Sequence, residues 1–449
     1  LQTKYLGSCL VLDKEKIQEH FDLAEECYLR NRLLLHSFFK DWLGCLVAGL
    51  NAPQSKPLMQ SLQIKDQRAD VAQYSLLDKS MLFGFASHCL ELDDSEFIGE
   101  THPSSVFFSS LFSSGDDSLR IKDLFEASSV GYLSLITFGK LLNPTHYEKG
   151  WHGTGTIGSL AATLALSFLH RMSSDEASLS LGVVSNLLSG LHMNFGSEAK
   201  FLAAGRAALN ATLATRLVRN GMAAKPIEYS GAKGFQVMFS GGSIGAPEVA
   251  ANTFSFVKAK HFPVCHCLDP IIISFQEIMR SSKISKDQVE LVEVFISPYS
   301  RGILRFDFPK TAQEAKFSIP YCLSHFSLCD SGELYADAGK FHNNLRDSFA
   351  KKIRVFTDTS ICEMDYRITI KCSNGKVLDN FFSFGRGFEF QNREFVHSKA
   401  TSLISPYLTI CDNSDSFLPE LESRIEECSV GDLRRVINKN IKFPGAVVF

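Results

Sequence analysis

The chain has 449 residues, 45% hydrophobic and 21% charged, with a formal net charge of −3. Its length predicts two domains, and its composition an ordinary globular core. Charges of both signs are interspersed, which leaves no case for nucleic acid or an anionic membrane as the main partner. Twelve cysteines are scattered along the length, most in apolar settings such as Cys45 in "DWLGCLVAGL". That usage fits buried free thiols in a reducing compartment and argues against a disulfide framework. The opening "LQTKYLGSCLVLDKEKIQ" has no basic region before a long apolar core and makes a poor signal peptide. The least polar stretch, about residues 153–169, is diluted by Gly, Ser and Thr, and falls short of the roughly 20 apolar residues of a membrane span. The expectation is a soluble, cytosolic protein.

From the start to about residue 240 the period is helical. "EKIQEHFDLAEECYLRNRLLLHSFFKDWLGCLVAGL" repeats apolar residues every three to four positions, and "SSGDDSLRIKDLFEASSVGYLSLITFGKLL" does the same after a polar start. Ser173 with Glu176 spells a capping box ahead of "ASLSLGVVSNLLSGL". The Ala-rich "AAGRAALNATLATRLVRNG" stops at Gly221, a C′ glycine. "FSGGSIGAPEVA", residues 239–250, marks a hinge. Beyond it come strand-like runs: "VELVEVFIS", "RGILRFDF" and "DYRITIKCSNGKVLDNFFSFG", the last with Asn374-Gly375 as a hairpin turn. Helix returns at "FLPELESRIEECSVGDLRRVINK". The fold class is mainly α with a smaller α+β domain: a helical domain over 1–250, an α+β lid over 251–405, and a segment over 406–449 packing back on the helices. No repeats or low-complexity tracts interrupt it.

Four groups of residues carry potential chemistry. "GWHGTGTIGSLAA" contains Gly153-x-Gly155-x-x-Gly158, the letters of a dinucleotide turn. That turn needs a buried strand before it, and here a helix running into a polar loop precedes it. Close helix packing, or a pocket floor beside His152, are the other readings. "ASHCLELDDSEFIGETHPSS" gathers His88, Glu91, Asp93, Asp94, Ser95, Glu96 and His102. Its acids form an incomplete Mg²⁺ box, or cap a helix and face water. Cys265, His266 and Cys267 offer soft ligands, but zinc wants four and no second pair follows. Lys200 in "NFGSEAKFLAAG" and Lys260 before "HFPVCH" stand in small and apolar company unusual for surface lysines.

In chain order, "HCLELDDSEFIGETHPSS", "HYEKGWHGTGTIGSLAA", "NFGSEAKFLAAGRAALNA", "KAKHFPVC" and "EAKFSIPY" resemble the MmgE/PrpD family. The resemblance implies a helical domain with an α+β lid, usually as a homodimer, acting on small di- and tricarboxylates without a nucleotide or bound metal. It implies an active site between the domains. Glu91 takes the place of an acid that is usually Asp, and Ser95 that of a small hydroxyl residue. His102 and His152 match the two histidines, Lys200 and Lys260 the two lysines, Tyr321 a lid tyrosine, and Cys265 the cysteine after the Phe-Pro step. Four positions depart from the pattern: Ala203 and Asp269 stand where His is common, and Glu198-Ala199 where Thr-Met is usual. Glu198 is thereby expected to bring a negative charge near a pocket for polyanions.

These residue types suit proton abstraction α to a carboxylate. Lysines and a tyrosine fix carboxylates by charge-assisted hydrogen bonds. Histidines serve as base and acid because their ordinary pKa lies near working pH; His102 and His152 are that pair, with Glu91 orienting one imidazole. The expected activity is a dehydratase-type lyase on a citrate-like hydroxy acid. The alternatives are a dicarboxylate epimerase, a cis-aconitate-type decarboxylase, or a silent paralogue that binds a metabolite.

Overall fold

A computed structural model describes residues 12–63, 75–240, 253–327, 348–383, 393–408, 425 and 428–441. The first long apolar period forms two helices, α1 (Lys14–Asp22), capped by the Asp13 carboxylate, and α2 (Ala24–Asn51). By length and composition alone α2 could cross a membrane. It is instead the central core helix, with 89% of its apolar window buried, including Phe38, Phe39, Trp42 and Leu46. Around it stand α3 (Leu76–His88), α4 (Pro103–Ser114), α5 (Ile121–Leu142), α6 (Ile157–Leu169), α7 (Ser174–Ser185) and α8 (Leu202–Arg219). The Ser173–Glu176 capping box opens α7, and Gly221, at φ +86°, ends α8 with a Met222 to Leu217 hydrogen bond.

A second apolar cluster is built on a four-stranded sheet of order β4-β3-β5-β6, made of β3 (Val289–Ile296), β4 (Ile353–Thr357), β5 (Tyr366–Cys372) and β6 (Val377–Phe382). β3 runs parallel to β4 and antiparallel to β5, and β5 and β6 form the hairpin turned by Asn374-Gly375. Val292, Val294 and Ile296 alternate with Ile368 and Ile370 on the buried face. That face is covered by α9 (Asp269–Ser281) and α10 (Ile319–Phe326), through Ile271, Ile272, Phe275, Leu323 and Phe326. The Tyr366 hydroxyl binds Ser274 Oγ at 2.8 Å and the Pro270 carbonyl at 3.0 Å, tying β5 to α9.

The architecture is mainly α with a smaller α+β part. Two helices from the end of the chain, α11 (Arg393–Ile404) and α12 (Val430–Asn440), place Ala400, Ile404, Val430, Leu433 and Ile437 in the helical core. One strand expectation fails. Arg301–Ile303 of "RGILRFDF" end a short helix, Pro298–Ile303, capped by Ser297. Arg301 then grips Asp307 with two bonds of 2.7 Å and curls the chain back on itself. The strand at 353–357 shows no clear two-residue alternation: all five residues pair with β3, but only Ile353 is buried. The hinge expected at 239–250 lies outside the described residues apart from its first two positions.

Candidate active site

The site is built on the loop that leaves α3. His88 is the last residue of α3, Glu91 follows in a left-handed conformation (φ +59°), and Ser95–Glu96 form the short strand β1. β1 pairs antiparallel with β2 (Val257–Lys258), Ser95 facing Lys258. That pairing delivers Lys260, two residues on, to Glu91. Its Nζ lies 3.0 Å from the Glu91 carbonyl and 3.5 Å from Glu91 Oε2.

Lys200 arrives from the other side, on the one-turn helix Glu198–Phe201 that leads into α8. Its approach depends on two glycines. A Cβ on Gly84 of α3 would lie 2.7 Å from the Ala204 carbonyl, and one on Gly205 of α8 would lie 2.5 Å from the Met81 carbonyl. With neither present, the helices pack backbone to backbone. Lys200 Nζ then sits 2.8 Å from Glu91 Oε1 and 2.9 Å from His88 Nε2.

The imidazoles have defined tautomers, because their partners fix which nitrogen carries the proton. His102 Nδ1 meets the Asp94 carbonyl at 2.8 Å, so that nitrogen donates and Nε2 keeps its lone pair. His88 Nδ1 meets the Asp93 carboxylate at 2.9 Å, so its Nε2 accepts from Lys200. His88 is therefore occupied at both nitrogens and positions the lysine. His102 and His152 stand edge to face with ring centres 6.3 Å apart. Burial, then Lys260, pushes His102 well below its ordinary value; burial, then Lys200, does the same to His152. Both are neutral imidazoles near pH 7. Burial alone would raise Glu91, but Lys200 and Lys260 outweigh it and hold the carboxyl well below the usual range.

The glycine turn serves this site. A short helix, Thr145–Glu148, and not a strand, stands before it. A Cβ on Gly153 would lie 2.1 Å from the Gly99 carbonyl, and one on Gly155 would lie 2.0 Å from that of Ser189. Thr154 accepts the His102 backbone N–H at 3.1 Å, and the His152 N–H bonds the Gly190 carbonyl at 3.1 Å. The glycines let the turn press against the segment carrying His102 while presenting His152.

The acids of the first cluster are buried, contrary to the expectation that they face water. Asp94 caps α4 through the Ser104 N–H at 3.0 Å, and burial pushes it up to about 8. Glu96 accepts from the backbone of Ile98 and Gly99, Asp93 holds His88, and Glu91 holds the lysines. Each is committed within the fold, which removes the case for an Mg²⁺ box.

Among the described residues, two donor sets come within 4.8 Å: His88, Glu91 and His102, and Cys265, His266 and Cys267. In the first, two ammonium groups already surround the carboxylate and oppose a cation. In the second, His266 Nε2 lies 3.0 Å from Glu100, leaving a soft three-donor set. Burial raises Cys265, but Cys267 and His266 outweigh it and bring the thiol to about 6. The described cysteines are free, and Cys27, Cys45, Cys89, Cys265, Cys267, Cys322 and Cys372 are buried.

Thus Glu91, His102, His152, Lys200 and Lys260 come together. Cys265 donates its backbone N–H to the Lys316 carbonyl at 3.0 Å, and Ser95 pairs with Lys258, two residues before Lys260. Tyr321, on α10, stacks on His325 with ring centres 5.5 Å apart. Glu91 contacts the lysines, while Asp93 takes the expected role of orienting an imidazole. Glu198 is exposed, and its negative charge acts on the buried Cys89 thiol, two residues before Glu91. Asp269 accepts the backbone N–H groups of His261 and Phe262 at 3.0 and 2.9 Å, pinning the segment after Lys260. Lys316, not singled out in the sequence, bonds the Leu90 carbonyl at 3.0 Å.

Residues 32–246 match the family model of the MmgE/PrpD N-terminal domain. Residues 32–246, just under half of the chain, are thus an MmgE/PrpD N-terminal domain. The family includes dehydratases and related enzymes. A search of curated proteins finds no match. Glu91, Ser95, His102, His152 and Lys200 fall within the MmgE/PrpD match, while Lys260, Cys265, Lys316 and Tyr321 follow it.

Proposed function

We propose that this chain is a cofactor-independent lyase of the dehydratase type, acting on a small hydroxy acid with more than one carboxylate. The observation that carries the reading is a neutral imidazole with a fixed tautomer beside two buried lysines. His102 Nε2 takes the proton α to a carboxylate. The electron pair left on carbon is stabilised by the ammonium groups of Lys200 and Lys260, whose effect is strengthened where water is excluded. His152 gives a proton to the departing hydroxyl. A bound carboxylate offsets the Lys200 charge that helps hold His152 low, so substrate supplies the condition for charging the acid.

A second reading rests on the same two imidazoles. Both are neutral, which equally suits an epimerase that removes a proton and returns it without expelling hydroxide. Proton NMR in D2O separates the two, using citrate, 2-methylcitrate, cis-aconitate and amino- or imino-dicarboxylates with EDTA present. The expected result is loss of an α-proton signal, abolished by His102→Gln, with an alkene product for the lyase and exchange alone for the epimerase. Retention of every signal across that panel would sink the carbanion reading.

A further inference from the structure

Cys265, His266 and Cys267 are consecutive, and in an extended chain the middle side chain would point away from the other two. A turn gathers them instead. The Leu268 N–H bonds the Cys265 carbonyl at 2.9 Å, while the Cys265 N–H is held by the Lys316 carbonyl. One donor atom from each of the three side chains then lies within 4.8 Å of the other two, and the two thiols are hydrogen-bonded to each other. All three residues are buried. A third sulfur comes from the loop before β5, where Met364 Sδ stands 3.9 Å from Cys267 Sγ.

The imidazole is supported from behind. Glu100 Oε2 stands 3.0 Å from His266 Nε2, and Glu100 Oε1 accepts the Tyr299 hydroxyl at 2.7 Å. When Nε2 donates to that carboxylate, the lone pair stays on Nδ1, and a carboxylate in this place orients an imidazole ligand and raises its basicity. Glu100 itself has a left-handed φ of +52°, which a non-glycine residue keeps only when its surroundings hold it. A cavity of about 410 Å³, lined by Phe97, Glu100, Tyr147, Tyr299 and Glu363, lies beside this carboxylate and gives a way in.

We propose that Cys265, His266, Cys267 and Met364 form a binding site for a soft monovalent metal ion, copper(I). Thiolate and thioether sulfurs with an imidazole are donors that suit this ion. Zinc finds only three of its usual ligands here, because a thioether is not among them. Magnesium and calcium need several oxygens, and Glu100 is committed to His266 and Tyr299. Loading sends the two thiol protons to solvent and leaves two thiolates around one cuprous ion, a net charge of −1. Lys260, whose field already acts on Cys267, offsets that charge. The proposal does not rest on the lyase reading, since none of the four donors takes part in the proton transfers above. The ion lies in the wall of the carboxylate site, with the His266 and His102 ring centres 6.0 Å apart.

Anaerobic titration of the full chain with copper(I), in competition with the chelator bicinchoninate, tests the site, and copper K-edge absorption identifies the ligands. The parent should retain one equivalent, with sulfur and nitrogen neighbours. Cys265→Ser/Cys267→Ser should retain none. Cys362→Ser/Cys428→Ser, which removes the two described thiols that are not buried, should retain it in full. Glu100→Gln keeps every donor and should weaken binding by about tenfold or more; it also carries the test if the Cys265→Ser/Cys267→Ser variant does not fold. A parent that retains no copper would overturn the proposal, as would retention by Cys265→Ser/Cys267→Ser or unchanged affinity in Glu100→Gln. Displacement of the copper by one equivalent of zinc would sink the choice of ion and the proposal with it.

Discussion

Asp93 does for His88 what a carbonyl does for His102: it decides which nitrogen holds the proton. Removing that decision should matter more than removing a charge. Asp93→Asn can present its amide N–H₂ to Nδ1, which favours the opposite tautomer and turns Nε2 into a donor facing Lys200. The expected outcome is a fall in proton-exchange rate of roughly tenfold or more, with the circular dichroism unchanged. Imidazole ¹⁵N shifts should show His88 moving from Nδ1–H to Nε2–H; an unmoved shift would disprove the tautomer assignment. A second histidine makes a pH argument. His20 lies in the core, 3.0 Å from Ser134 Oγ, and burial, with Lys16 adding, pulls it down to about 3 from 6.5. The unfolded chain takes up that proton first, so the contribution is whole above pH 6.5 and drains away as pH falls toward 3. His20→Gln should therefore show a shallower loss of Tm between pH 6.5 and 4 than the parent; parallel curves would refute it.

The pairing of α3 with α8 rests on missing side chains. Gly84→Ala would drive a methyl group into the Ala204 carbonyl at 2.7 Å, and should cost about 1–3 kcal/mol in chemical denaturation. It should also weaken ligand binding, because the same shift lifts Lys200 from His88. Equal stability to the parent would mean the helices separate freely. Local chemistry was legible at this scale: the Ser173–Glu176 box, the Gly221 stop and the Asn374-Gly375 hairpin all turn on residues close together in the chain. The glycines of the 153–158 turn could be separated from a dinucleotide motif by what precedes them, but their real partners, the carbonyls of Gly99 and Ser189, lie too far away in sequence to be read. Lys316 was legible after all. It sits in "EAKF", as Lys200 does, and the apolar company that drew attention to one applied to both.

One short loop carries Leu90 and Leu92, which pack with Phe85, Phe201 and Leu403 in a small apolar cluster of their own. Lys316, Lys260 and Lys399 reach it from three different parts of the chain and bond the carbonyls of Leu90, Glu91 and Leu92 in succession. These carbonyls continue from the C-terminus of α3, where cations are favoured. Lys399 also pairs with Asp41 at 2.8 Å, both fully buried. Lys399→Met should destabilise by about 3–5 kcal/mol by leaving a buried carboxylate unmatched. Adding Asp41→Leu should return part of that loss, and a double variant worse than the single would refute the pairing. No sequence pattern announces three lysines converging on consecutive carbonyls, since spacing along the chain says nothing of partners hundreds of residues away.

That convergence has a consequence for how the protein is made. The loop at Leu90–Leu92 waits for partners 226, 169 and 307 residues further along. At about 5–20 residues per second, roughly 15–60 s of synthesis separate Leu92 from Lys399. Most of the helical core can collapse within that interval, but the charged loop at its edge cannot be neutralised. A nascent chain stalled ahead of residue 393 should carry a formed helical core with Asp41 still without its ammonium partner. The proposed carboxylate site would then be completed late, only once Lys399 has left the ribosome.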